Sequence, residues 1–189
     1  VLTSAERTWR QIVGGVCEGA RVTTTHSVVD SPLGPLTLRA DDGVLSGLYM
    51  TEHRHGPGPE RLGERVVEAA PAAREELAAY FVGELREFSV EVVLRGTAFQ
   101  ARVWAALREI PYGETCSYGE LAAAIAAPTA VRAVGLANGK NPVSIVVPCH
   151  RVVGSNGSLT GYGGGTDRKR TLLELEGAAV VRGEAALFG

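Results

Sequence analysis

Ser117-Tyr-Gly-Glu-Leu-Ala-Ala-Ala-Ile-Ala-Ala-Pro-Thr-Ala-Val-Arg-Ala-Val-Gly-Leu-Ala-Asn-Gly139 reads as two short helices joined by a tight turn. Ser117, with Glu120 three residues later, is a capping box, in which each side chain satisfies the other residue's free backbone N–H. The spacing predicts a helix from there to about Ala126, a turn at Pro128-Thr129, and a second helix over Ala130 to Ala137 closed by Asn138-Gly139. Such a pair resembles a helix-turn-helix, a geometry that also occurs in proteins that never meet DNA.

Upstream, Thr97-Ala-Phe-Gln100 is a second capping box. Phe99, Val103, Leu107 and Ile110 then mark one helical face before Pro111 stops it. Downstream, the apolar run Val143-Ser-Ile-Val-Val147 leads into Pro148-Cys149-His150-Arg151 and predicts a strand ending at the cysteine. Asn156-Gly157 between Val152-Val153 and Leu159 signals a hairpin. Gly161-Tyr-Gly-Gly-Gly165 is a loop whose bare backbone would let a flat ligand come close. A last helix is expected over Asp167 to Glu176, ending at Gly177. Nearer the N-terminus, Val22–Val29, Leu36–Arg39 and Val44–Met50, separated by turn formers, predict an antiparallel meander. A loop is expected over residues 52–63, a helix over Ala72–Phe88 and a strand over Ser89–Leu94. The fold class is therefore α+β: a small N-terminal α+β domain with an antiparallel sheet over 21–94, a mostly helical C-terminal domain over 95–189, and an extension over 1–20.

Length and composition agree. The chain has 189 residues, 45% hydrophobic and 21% charged, with 24 Gly and 9 Pro, which excludes low-complexity and fibrous classes. No apolar run approaches the ~20 residues that span a bilayer, and residues 1–7 lack the order of a signal peptide, so a cytoplasmic protein without membrane contact is expected. The formal net charge of −2 conceals an uneven distribution. Residues 1–94 hold 9 basic and 14 acidic side chains, residues 95–170 hold 9 and 4, and residues 171–189 hold 1 and 3. A basic middle segment points to a nucleic-acid surface, or to chance clustering on a solvated face. The three cysteines, Cys17, Cys116 and Cys149, have no Cys-x-x-Cys partner, and His26, His53 and His55 are not spaced with them, so no metal is expected.

Cys149 has His150 and Arg151 next in sequence, groups that can activate a thiol if a local bend brings them to the sulfur. A buried, inert cysteine fits the same letters, and so does a cysteine hydrolase, although no oxyanion-hole signature accompanies it.

Pro148-Cys-His-Arg-Val-Val153, with Arg132-Ala-Val-Gly135 and Asn141-Pro142 before it and Gly161-Tyr-Gly-Gly164 after it, resembles the active-site region of the O6-alkylguanine-DNA alkyltransferases. Phe99-Gln-x-x-Val-Trp104, Ile110-Pro-Tyr-Gly-Glu-Thr-Cys-Ser-Tyr-Gly-Glu120 and Asp30-Ser-Pro-Leu-Gly-Pro-Leu-Thr37 extend the likeness over roughly residues 24–177. The resemblance implies an RNase H-like N-terminal domain and a winged-helix-like C-terminal one. It implies a cofactor-free suicide repair enzyme, a monomer on double-stranded alkylated DNA, with cooperative binding left open. In it Cys149 takes the alkyl group, His150 acts as base through a water, and Glu176 orients His150. Tyr118 donates to the flipped base and Asn141 braces the helix pair. Arg132 fills the vacated base stack, Ala130, Ala133 and Gly135 (with Ala137) allow a close approach to the minor groove, and Arg151 contacts DNA. Tyr162, Gly163, Gly164 and Lys169 line the pocket, and Cys116 has no counterpart in the pattern. A rival of the same shape, the alkyltransferase-like binding module, lacks the cysteine.

Overall fold

The computed structural model describes residues 22–179, so the 1–20 extension with Cys17 lies outside the described residues. The meander forms as expected. β1 (Thr24–Val29), β2 (Leu36–Asp41) and β3 (Val44–Met50) pair antiparallel, and a two-residue β4 (Glu64–Arg65) adds to β1 in parallel, giving the order β3-β2-β1-β4. Leu36, Leu38, Ala40, Leu45 and Leu48 are buried in the core that α1 (Pro71–Phe81) joins through Ala73, Leu77 and Tyr80.

The helix expected over 72–88 stops at Phe81. Gly83, at φ 79°, closes it with a 5→2 bond from its N–H to Tyr80 O and a 6→1 bond from Glu84 N–H to Ala79 O, the αL termination that glycine favours. Leu85 and Phe88 then pack on the core from irregular chain. The strand expected over 89–94 is also absent. The Glu76 carboxylate accepts from the backbone N–H groups of Ser89 (2.9 Å) and Val90 (3.1 Å), and pairing shrinks to one bridge between Leu45 and Val92.

Beyond residue 95 come α2 (Ala98–Arg108), β5 (Cys116–Ser117), α3 (Tyr118–Ala124), α4 (Val131–Gly139), β6 (Val152–Val153) and α5 (Thr166–Leu175). Both capping boxes form with reciprocal bonds, Thr97 with Gln100 and Ser117 with Glu120. The turn between α3 and α4 is a second αL closure, here on Ala126 at φ 53°, with Ala127 N–H bonded to Ala122 O. α4 packs on α2 and α3, and Trp104 Nε1 donates to Ala137 O at 2.9 Å across that junction.

Two further expectations are corrected. The run 143–147 is not a strand, because Ile145 takes φ 73° and folds the chain back on itself. At Asn156-Gly157 the turn forms, but no strand returns from it. β6 pairs with β5 in parallel, and Lys169 Nζ takes the carbonyls of Val152 and Thr160 instead. Sheet and helices share one core cluster. Leu48 N–H donates to Pro142 O (2.8 Å), and Arg168 donates to the carbonyls of Leu33, Thr51 and Gly164, each at 3.0 Å. Among the described residues no helix is long and apolar enough to cross a membrane.

Candidate functional site

Pro148 (φ −81°, ψ 61°) bends the chain, and Cys149 N–H closes an i→i+2 bond to Val147 O at 2.8 Å. Cys149, His150 and Arg151 then form one 3₁₀ turn, not the end of a strand. That turn sends three consecutive side chains into the interior, Cys149 to Asn141 and both His150 and Arg151 to Glu176.

Cys149 Sγ accepts from Asn141 Nδ2 at 3.1 Å. The same Nδ2 donates to Val147 O (2.7 Å), while Asn141 Oδ1 accepts from Val143 N–H (3.0 Å), so Asn141 ties the segment after α4 to the cysteine. Asn138, on α4 and not singled out by sequence, donates to Cys149 O at 3.4 Å. Cys149 is only 4% exposed. Burial pushes its thiol up, offset in part by the Asn141 amide and the Lys169 charge, so the sulfur rests protonated and requires a base. Lys169 is itself buried and pulled down to about 8 by desolvation, against the pull of Cys149.

His150 Nε2 lies 2.9 Å from Glu176 Oε1, joining the 3₁₀ turn to the C-terminal end of α5. Burial would raise the Glu176 carboxyl, but hydrogen bonds and charge from His150 and Arg151 outweigh it and hold the group at about 2. Glu176 is therefore ionised and can only accept, which places the His150 proton on Nε2 and leaves Nδ1 with its lone pair. That Nδ1 is buried and has no partner in the structure. Burial holds the imidazole below its ordinary range, in the neutral form that a base needs.

Arg151 corrects the expectation of a DNA contact. It is buried, Nε donating to Glu176 Oε2 (2.9 Å), Nη2 to Glu176 Oε1 (2.9 Å) and Nη1 to Ile110 O (2.6 Å), with the guanidinium 5.8 Å from the Tyr112 ring centre. A cation so enclosed is structural: it holds Glu176 ionised. Tyr80, from α1, also donates to Glu176 Oε1 at 2.8 Å, a contact spanning 96 residues that no local pattern announces.

Tyr118 is half-buried at the start of α3, and its hydroxyl donates to Thr160 O at 3.2 Å. The glycines after it are corrected in part. A Cβ on Gly161 would lie 2.7 Å from the Tyr118 hydroxyl, one on Gly163 2.6 Å from His53 Nε2, and one on Gly164 2.1 Å from Met50 Sδ. The space the bare backbone leaves there is taken by the protein's own side chains, not kept for a ligand. Tyr162 is buried and meets the His150 ring edge-on at 6.5 Å.

Arg132 and Ala133 are exposed on α4, Ala130 and Gly135 are half-buried, and Ala137 faces the core. Gly135 faces the Tyr118 ring, 3.8 Å from where its Cβ would stand. Exposed Leu136 lies one turn beyond Arg132 and escaped the sequence reading. The basic segment is less of a surface than its count implies, because Arg151 and Lys169 are buried and Arg168 is bound to three carbonyls. Cys116 is a half-buried thiol pushed up to about 11 by burial and Glu120, so it stays protonated. No cluster of metal-ligating side chains occurs among the described residues.

Acid should expose the buried histidines first. Desolvation, with His55 and Arg168, lowers His53 to about 4, and His150 is lowered too, so below 6.5 the unfolded chain binds protons that the folded one refuses. The contribution of His53 is full above 6.5 and lost on the way to about 4, that of His150 is lost in the same direction as the pH falls, and that of Glu176 is full above 4.5 and lost toward about 2. Thermal unfolding followed by circular dichroism should give a midpoint that is level above pH 7 and falls through this window, with a shallower fall in His53→Gln. A level midpoint from pH 7 to pH 4 would contradict these assignments.

A buried thiol thus shares one 3₁₀ turn with a neutral imidazole held by an ionised carboxylate, and Asn138 and Asn141 tie that turn to the end of the helix pair α3–α4, an arrangement suited to cysteine chemistry. The 6-O-methylguanine DNA methyltransferase DNA-binding domain family matches residues 98–178. A methylated-DNA–protein-cysteine methyltransferase of Mycolicibacterium paratuberculosis is 58% identical over 151 residues, covering 80% of this chain and 91% of that protein. One from Methanosarcina acetivorans is 48% identical over 156 residues, covering 81% and 98%. The crystal structure of Mycobacterium tuberculosis OGT in complex with DNA superposes with a TM-score of 0.75 at 53% identity, covering 87% of this chain and 99% of that one. The chain belongs to the methylated-DNA–protein-cysteine methyltransferases.

Proposed function

We propose that the protein repairs O6-alkylguanine in double-stranded DNA, and less readily O4-alkylthymine, by irreversible transfer of the alkyl group to Cys149, one lesion per molecule. The observation that carries this reading is the buried Cys149 thiol on one 3₁₀ turn with His150, whose Nδ1 lone pair is unpartnered and whose Nε2 proton is held by ionised Glu176. In the reaction the thiol proton passes through a water to His150 Nδ1. The sulfur attacks the alkyl carbon in line, the S–C bond forms as the C–O6 bond breaks, and the electron pair leaves with the purine. Tyr118 supplies a proton or hydrogen bond so that guanine departs neutral. The resulting thioether has no hydrolytic exit, and that accounts for a single turnover.

Reaching O6 requires the nucleotide to leave the duplex, at a cost of a few kcal/mol in stacking and pairing. Helix α4 lies in the minor groove in this reading, with Arg132 in the vacated stack and Ala130, Ala133 and Gly135 against the backbone. The base enters as the 160–165 loop draws back, a step that breaks the Tyr118–Thr160 bond and frees the hydroxyl for the purine. In this reading an RNase H-like N-terminal domain and a winged-helix-like C-terminal domain act together as a cytoplasmic monomer.

Arg132→Ala should slow repair of duplex lesions about tenfold or more, while reaction with free O6-benzylguanine stays within about twofold, since only the duplex needs a filled gap. Single-turnover rates on the two substrates check this; equal losses would argue against a flipping role. Stoichiometry separates transfer from hydrolysis. With excess methylated duplex, repair should end at one equivalent per protein, and continued turnover would establish a hydrolase.

A further inference from the structure

Ser144 stands five residues before the cysteine and is buried at 1% exposure, yet its hydroxyl has no partner in hydrogen-bonding geometry. An unmet hydroxyl in a dry interior is costly, so its retention calls for a reason. Its position is imposed by strain. Ile145 has φ 73°, rare for a β-branched residue, and Val146 N–H donates to Ser144 O at 2.9 Å, closing a γ-turn of the unfavoured hand. Val147 N–H to Val143 O (3.0 Å), the two Asn141 bonds and the buried Ile145 side chain hold that turn. The reversal sets Ser144 beside both the Cys149 thiol and the Tyr162 hydroxyl, which is also buried and unpartnered. Two orphaned hydroxyls, Ser144 Oγ and Tyr162 Oη, thus stand beside one sulfur.

We propose that Ser144 is a second donor to the reacting sulfur, its O–H turning to Cys149 Sγ beside Asn141 while its oxygen accepts from Tyr162, which acts through it as a positioning residue. The inference rests on Cys149 being the acceptor. A serine can donate only once, and Tyr162 O–H, by filling the oxygen's lone pair, directs that single proton toward the sulfur. The thiolate then has two neutral donors and needs less help from distant charge. The ionisable groups that bear on the sulfur are Lys169 from α5, Tyr118 from α3 and Tyr162 from the glycine loop, while His150, next in the same turn, is bonded to Glu176.

The test is the pH profile of single-turnover transfer from O6-methylguanine duplex, with thermal unfolding alongside. Loss of a donor to the anion raises the thiol's apparent pKa. Ser144→Ala should therefore move the rising limb up by about one unit and cut the rate at pH 7 about tenfold, with the plateau at high pH recovered. Its unfolding midpoint should fall, because the Tyr162 hydroxyl loses its acceptor in a buried site, and the Tyr162→Phe change added to it should restore the midpoint. Tyr162→Phe should give a smaller shift in the same direction, and the double variant should be no slower than Ser144→Ala alone, as two groups on one path require. Iodoacetamide labelling of Cys149 against pH should show the same displacement without any DNA. An unmoved profile in Ser144→Ala, or losses that multiply in the double variant, would overturn the proposal. If wild type itself transfers nothing to Cys149, it is the underlying reading that fails.

Discussion

Cys149→Ser should abolish alkyl transfer and leave DNA binding within about twofold of wild type. The substitution is close to isosteric, and an oxygen at that position still accepts from Asn141, so the 3₁₀ turn and the helix pair it is tied to should persist. What changes is nucleophilicity. A thiol with a reference pKa near 8.5 can be ionised by a neutral imidazole, whereas an aliphatic hydroxyl cannot, and burial widens the gap. Transfer should drop to the background of the uncatalysed reaction, measured on a labelled O6-methylguanine duplex, while electrophoretic mobility shift reports binding. Residual transfer above a tenth of wild type would move the acceptor elsewhere, and Cys116, protonated at about 11, is a poor candidate.

Glu176→Gln carries the second large effect, on stability and rate together. The carboxylate accepts from Arg151 twice, from His150, from Tyr80 and from Gly113 N–H (3.3 Å), all donors. An amide presents an NH₂ where one of those donors points and leaves Arg151 as a buried cation without a counter-ion. Breaking such a pair costs about 3–5 kcal/mol, measurable by denaturant unfolding. His150 meanwhile loses the anion that fixes its tautomer and favours its protonation, so transfer should fall about a hundredfold. The two effects can be separated. Adding Arg151→Met to Glu176→Gln removes the unpaired cation and should recover much of the stability, with the rate still low. Recovery of both would mean that Glu176 serves only the fold.

The local parts of this arrangement were legible because their physics is local. Each capping box needs two residues three apart, and both closed as their letters require. The meander announced itself by apolar runs between Asp, Gly and Pro turns. The site was less legible, because its decisive contacts are distant in sequence. Glu176 lies 26 residues from His150 and 96 from Tyr80, and only the family likeness linked the first pair. Arg151 shows the cost of reading charge without its partner: a basic residue beside a reactive cysteine resembles a DNA contact until Glu176 is found to enclose it. The glycine loop departs from its expected role for a related reason. Gly163 and Gly164 make room, but His53 and Met50, more than 100 positions earlier, occupy it. Nor does any residue pattern disclose the positive φ of Ile145, which depends on how Asn141 and the burial of Ile145 hold the turn on both sides.

Intact-mass measurement of the protein after incubation with an O6-methylguanine duplex, followed by peptide mapping, addresses the acceptor directly. The account predicts a gain of one methyl group per chain, located on the peptide containing Cys149, with Cys17 and Cys116 unmodified. An unchanged mass after the lesion has disappeared, or a methyl group on any other residue, would contradict it.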